Sequence, residues 1–199
     1  MDLFNEFFNI WIKFFFLLTP FFSMSMFISL SNEMNEQEKY KIVYRTTFAI
    51  IVLCFSLFFF GNAIFSIFGI TLDSFRIGAG SLLFISSVKM VQSENKPQLS
   101  NLKKDFAVVP LAIPITIGPA TTGALLIMGA EISGTWHKII GCVALLFASL
   151  SVGLLLMLST TVKKLIGQNG LIIMEKLTGL ILAALAAQII FTGIVNFIS

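Results

Sequence analysis

The chain has 199 residues, of which 57% are hydrophobic and only 12% charged, with 22 phenylalanines and a mean hydropathy of +0.95. Soluble domains are about 45–50% apolar and about 25% charged. This composition therefore cannot cover a water-facing surface, and it excludes a soluble enzyme, a disordered chain and a nucleic-acid-binding module. The formal charge of +3 comes from basic residues scattered through short loops, which suits a membrane protein better than an anion-binding patch.

A membrane-crossing helix needs roughly 20 mostly apolar residues. Six stretches qualify. The first, 7–30, is closed by Ser31-Asn32-Glu33. The second, 42–60, ends before Gly61-Asn62. The third, 77–91, is short unless its first turn takes in Leu72 and Phe75. A polar linker, 92–105, carries Pro97 and divides the chain near its middle. The fourth, fifth and sixth stretches are 106–130, 137–158 and 171–198. Each is too long for a core strand, and none alternates as a barrel strand would, so helix is the expectation for all six. The N-terminal stretch has Asp2 and Glu6 ahead of Lys13 and no Ala-x-Ala site after it, which predicts a retained helix rather than a cleaved signal.

With the N-terminus outside, the inner side would hold Lys39, Lys41, Arg45, Lys89, Lys96, Lys103, Lys104, Lys163, Lys164 and Lys176. The outer side would hold Lys13, Arg76 and Lys138. Positive charge collects on the cytoplasmic side, so both termini are expected outside, on the periplasmic face of a bacterial inner membrane. Trp11, Tyr40, Tyr44 and Trp136 lie near the expected span ends, where amphipathic rings favour the headgroup layer.

Three spans, a linker and three more spans are the arithmetic of an inverted repeat, because an odd number of helices turns the second half upside down. The expected fold is an all-α integral membrane protein, one membrane domain over 1–199. Repeat 1 covers about 1–91, the linker 92–105 and repeat 2 about 106–199. Pro20-Phe21-Phe22-Ser23 lies 99 residues before Pro119-Ala120-Thr121-Thr122, and Arg76-Ile77 lies 100 residues before Lys176-Leu177.

The first helix of each half carries proline in mid-span. Pro110, Pro114, Gly118, Pro119 and Gly123 fall within fourteen residues, and each interior proline costs a helix about 3 kcal/mol. The fourth stretch is therefore expected to break, and its freed carbonyls must face protein or a water-lined cavity. Thr116, Thr121 and Thr122 bring hydroxyls there. Thr19, Pro20, Ser23 and Ser25 repeat the pattern in the first stretch. Two readings compete: ordinary kinks healed by threonine hydroxyls, or a midplane binding site between broken helices. The second makes Thr19, Pro20, Ser23, Pro114, Thr116, Gly118, Pro119, Thr121 and Thr122 the candidate solute-binding residues.

At these residues the chain resembles the MarC family of small integral membrane proteins. The resemblance rests on Pro110-Leu-Ala-Ile-Pro114 leading to Gly118-Pro119, and on Phe68-Gly-Ile-Thr-Leu-Asp73-Ser-Phe-Arg76-Ile77. It covers nearly the whole chain. It implies six helices in two inverted halves and, since the family includes a neutral amino-acid transporter, movement of small amino acids. The first half departs from the family pattern. Thr19 stands at an Asn position, Phe22 at a Gly and Ser25 at a second Pro, so a substrate half-site there is narrowed or blocked.

Other polar residues read as structural. Asp73 and Arg76, three apart, share a helix face and are expected to pair at a span end, with Glu175 and Lys176 at the corresponding end of the sixth span. Gln188, beside Ala183-Ala184-Leu185-Ala186-Ala187, is expected to bond across a helix interface, with pore lining as the alternative. His137, the one histidine, reads as interfacial, and Cys54 and Cys142 read as small apolar residues. No catalytic set, metal cluster or phosphate loop appears, so neither enzyme activity nor a cofactor is expected. The functional expectation is a small secondary transporter of a neutral solute in the lipid bilayer, working as a homo-oligomer because 199 residues are few for a carrier. A non-transporting scaffold or accessory subunit is the alternative, and a channel a third.

Overall fold

In hydrocarbon a backbone must satisfy its own donors and acceptors, and a helix does so within one segment. All secondary structure assigned in the described residues is helical. The computed structural model describes residues 3–32, 34–92, 107–132 and 134–198, with side chains at all but 107–110 and 114. In chain order come α1 (Leu3–Leu17), α2 (Pro20–Leu30), α3 (Glu36–Phe68) and α4 (Leu72–Gln92). A π-helix (Ala107–Thr116), α5 (Pro119–Glu131), α6 (Thr135–Met157) and α7 (Ser159–Ile198) follow. Five stretches are long and apolar enough to cross a membrane: Leu3–Leu30 taken across its break, Glu36–Phe68, Leu72–Gln92, Thr135–Met157 and Ser159–Ile198. Most of the expected linker, with Lys96, Pro97, Lys103 and Lys104, lies outside the described residues.

Several boundaries differ from the expectation. α3 starts at a capping box, in which the Glu38 amide donates to Asn35 Oδ1 (2.9 Å) and the Asn35 amide to Glu38 Oε2 (3.2 Å). It then runs through Gly61-Asn62 to Phe68 and stops at Gly69, whose φ of 63° suits glycine. Gly61 does not end the helix because its role is contact. A Cβ there would meet the Leu126 carbonyl oxygen at 2.5 Å, and one at Gly129 would meet the Phe58 oxygen at 2.0 Å. Backbones of α3 and α5 touch at these two points, the close approach that small residues give membrane helices. α4 does take in Leu72 and Phe75. α7 begins at Ser159, well before the expected 171, and bends at Gly167 (φ 69°).

The core is built from Phe14, Phe27, Ile50, Leu111, Leu125 and Leu145, with apolar neighbours from every helix. α3 packs on α5 and α6, and α1 on α6. α4 packs on α5 and most extensively on α7, while α2 packs on α6 and α7. Glycines hold the α4–α7 pair close: Gly80 faces Ile190 and Ala186, Gly179 faces Ser87 and Val91, and Gly193 faces Arg76 and Asp73. These contacts run in opposite order along the two helices, so α4 and α7 are antiparallel. Large apolar side chains such as Phe48, Phe60, Leu180 and Phe191 point outward, which is the surface a lipid environment selects. Cys54 is buried and Cys142 half-buried.

Candidate functional site

The first apolar stretch and the one after the linker are both interrupted, and by the same device. α1 ends at Leu17, and Pro20 opens α2. The π-helix ends at Thr116, and Pro119 opens α5. Proline lacks an N–H and has its φ preset for a first helical position, so each Pro both stops the preceding ladder and starts the next. Neither α2 nor α5 has a side chain capping its N-terminus. The Ser23 amide donates to the Thr19 carbonyl (3.0 Å) and the Thr122 amide to the Gly118 carbonyl (2.8 Å). The amides of Phe21 and Phe22, and of Ala120 and Thr121, sit in the first turns, where a helix offers no internal acceptor.

The backbones at the two breaks differ. Gly118 is extended (φ −86°, ψ 177°). Thr19 is left-handed (φ 46°, ψ 56°), a conformation that costs a non-glycine residue about 1–2 kcal/mol. Thr19 Oγ1 is buried and has no hydrogen-bond partner. Before the second break, prolines at 110 and 114 cannot keep an i to i−4 ladder. The chain adopts the wider π form, with the Ile117 amide donating to the Ala112 carbonyl at 2.9 Å.

Side chains join the two breaks. Thr116 Oγ1 donates to the Leu111 carbonyl (2.9 Å). Its one proton is thereby used, so the 2.9 Å contact with Ser23 Oγ has Ser23 as donor. Both residues are buried. Thr121 Oγ1 donates to the Leu17 carbonyl (3.3 Å), an acceptor freed where α1 stops. Of the nine candidate residues, Thr19, Pro20 and Ser23 lie on one break and Thr116, Gly118, Pro119 and Thr121 on the other, within one bonded cluster. Thr122 is half-buried beside it. Pro114 falls in the π-helix, and its side chain lies outside the described residues.

A cavity of about 430 Å³ lies between α1, α4, α5 and α7, on the side of the cluster towards Glu131. Lys13, Arg76, Glu131, Gln188 and Thr192 supply its polar lining, and Leu17 and Ala124 belong to its apolar lining. None of the nine candidates lines it. It reaches the cluster through Leu17, the residue whose carbonyl receives Thr121. Gln188 lines this cavity. Arg76 pairs with Asp73, and it also reaches Glu131 Oε1 on α5 through Nε and a terminal nitrogen, both at 2.9 Å. Asn196 Nδ2 on α7 approaches Asp73 Oδ1 at 3.4 Å. The Arg76 side chain is only 11% exposed, so this is a four-residue, three-helix polar network and more than the expected pair at a helix end. Lys13, assigned to the outer side by charge counting, sits on α1 inside the apolar stretch. An ionisable residue amid apolar ones was the signal that marked it. At the start of α6, His137 Nδ1 meets Glu6 Oε1 at 2.5 Å.

Comparison with known proteins assigns the family. The model of the MarC family of integral membrane proteins matches residues 4–198. A UPF0056 membrane protein of Methanocaldococcus jannaschii is 31% identical over 186 residues, covering 89% of this chain and 90% of that protein. One from Aquifex aeolicus is 28% identical, covering 92% and 89%. YhcE of Escherichia coli, also a UPF0056 membrane protein, is 26% identical, covering 96% and 93%. No solved structure matches. The chain belongs to the MarC family of multi-pass integral membrane proteins.

Proposed function

We propose that this protein is a small secondary carrier for a neutral solute in a bacterial inner membrane. It works by alternating access of two inverted three-helix halves, and the π-helix with α5 supplies the sixth crossing. The observation that carries the reading is the buried Ser23–Thr116 hydrogen bond of 2.9 Å, which ties one broken helix to the other. Packing supports the inversion. Exchanging α1 for the π-helix, α2 for α5, α3 for α6 and α4 for α7 turns the α3–α5 contact into α2–α6 and the contact of α3 with the π-helix into α1–α6. The same exchange turns α4–α5 into α2–α7 and maps α4–α7 and α3–α6 onto themselves. Opposed half-helices with uncapped amide ends suit a solute carboxylate, and freed carbonyls suit its ammonium group. Small amino acids, the cargo the family resemblance suggests, carry both. Charge counting puts the termini outside, and the small chain suggests a homo-oligomer.

The competing reading, a scaffold that moves nothing, draws on the same cluster, because the two breaks bond to each other and Phe22 stands where the family pattern has a Gly. Vesicles reconstituted with the full chain and offered labelled glycine or alanine separate the two. A carrier gives saturable flux that falls at least about tenfold in Thr121→Val and Pro119→Ala. Flux equal to that of protein-free vesicles for both solutes refutes carriage of these amino acids.

A further inference from the structure

Lys13 stands ten residues past the start of α1, about 15 Å along the axis at 1.5 Å per residue. A lysine within an apolar stretch is expensive in lipid and is retained where it faces water or a partner. This one opens into the 430 Å³ cavity and, among the described residues, has no ion-pair or hydrogen-bond partner. The cavity's other cation is already engaged, since Arg76 is shared between Asp73 and Glu131. Both Glu131 contacts use Oε1, which leaves Oε2 as an acceptor. Gln188 and Thr192 on α7 add neutral polar groups, and the other walls, among them Leu17, Leu83 and Ile189, are apolar.

We propose that this cavity is a binding site for a small carboxylate that also carries a hydrogen-bond donor, with Lys13 holding the oxyanion and Glu131 Oε2 accepting from the donor. The charges decide the class. Arg76 with its two carboxylates leaves one net negative charge on the α4–α5 side, and Lys13 supplies one positive charge from α1. A ligand anionic at one end and donating at the other complements both, whereas a simple cation or a second anionic group would leave one pole unmatched. About 430 Å³ lies in the range of small-molecule pockets. The site lies outside the break cluster and stands whether or not solute crosses there.

The test is calorimetric titration of the detergent-purified full chain with lactate and with its neutral amide, lactamide. Wild type should bind lactate saturably and lactamide at least about tenfold more weakly. Lys13→Met should weaken lactate at least about tenfold without lowering the ligand-free melting temperature, because Lys13 makes no contact that folding uses, and Lys13→Arg should retain binding. Undetectable lactate binding, lactamide binding as tightly as lactate, or Lys13→Met binding like wild type would each overturn the proposal. A fourth overturning result would be Lys13-dependent stabilisation by phosphatidylglycerol with no lactate binding, which assigns the site to a lipid headgroup. Because the readout is binding, a failed flux assay leaves this result unaffected, and the reverse holds too.

Discussion

Removing the hydroxyl of Thr116 tests whether the two breaks are energetically joined. In Thr116→Val the side-chain shape is kept, but the bond to the Leu111 carbonyl and the acceptor for Ser23 are both lost. Side-chain hydrogen bonds inside membrane proteins average about 0.6 kcal/mol with a maximum near 1.7, and a buried hydroxyl left unpaired costs about 1–3 kcal/mol. Thr116→Val should therefore cost about 1–3 kcal/mol. Ser23→Ala removes one bond and leaves Thr116 still donating to Leu111, so about 0.6–1.7 kcal/mol is expected. Once Thr116 is valine, removing the Ser23 hydroxyl strands nothing further, and the double variant should cost less than the sum by about 0.6–1.7 kcal/mol. Reversible unfolding in mixed micelles, across all four proteins of the cycle, reads this directly. A coupling energy near zero would mean the 2.9 Å contact joins nothing, and the link between the breaks would fall with it.

Other perturbations follow from close contacts and the polar network. Gly129→Ala places a Cβ 2.0 Å from the Phe58 carbonyl oxygen. The obstacle is backbone, so α3 and α5 must part, and a loss of at least about 1–3 kcal/mol is expected; an unchanged unfolding midpoint would refute the helix contact. Gly78→Ala, on the same α4 but with nothing within 4 Å, should leave the midpoint unchanged or slightly raised. Arg76→Met removes the cation shared by Asp73 and Glu131, and losing these charge-assisted bonds should cost about 1.5–3 kcal/mol. Adding Glu131→Gln should recover part of that cost in the same assay, and no recovery would contradict the pairing.

Much of this architecture is written in local chemistry. Long unalternating apolar runs dictate helices, and Pro20, Pro110, Pro114 and Pro119 mark where those helices cannot continue. Four features escape that reading, and all but the π form depend on what lies opposite. Gly61 looks like a helix end until the Leu126 carbonyl is set against it, where only a residue without a side chain fits. The π form of 107–116 follows from two prolines four apart, yet one residue's change in hydrogen-bond register leaves no mark in hydropathy. Charge counting places Lys13 on a side of the membrane but cannot show that it lines a cavity between four helices. Gln188 has the same origin: its neighbours are small residues, but the space beside them is open.

The two breaks are built alike and strained unequally, and the inequality is itself testable. Gly118 sits in an extended conformation open to any residue, while Thr19, branched at Cβ, holds the left-handed region that costs about 1–2 kcal/mol. It also buries an unpartnered hydroxyl, worth about 1–3 kcal/mol. Thr19→Gly removes both penalties and adds back about 0.5–1 kcal/mol of unfolded-chain entropy, so the variant should be more stable by about 1 kcal/mol or more. Thr19→Ala removes only the buried hydroxyl and should gain less. Strain held at one position persists only where the surrounding fold over-determines it, and here Pro20 and the bonded pair Ser23–Thr116 fix the chain on the far side. If Thr19→Gly unfolds more easily than wild type, the first break is not strained, and the asymmetry between the two halves needs another cause. If it is more stable and flux also changes, the strain at Thr19 is part of how the first half moves.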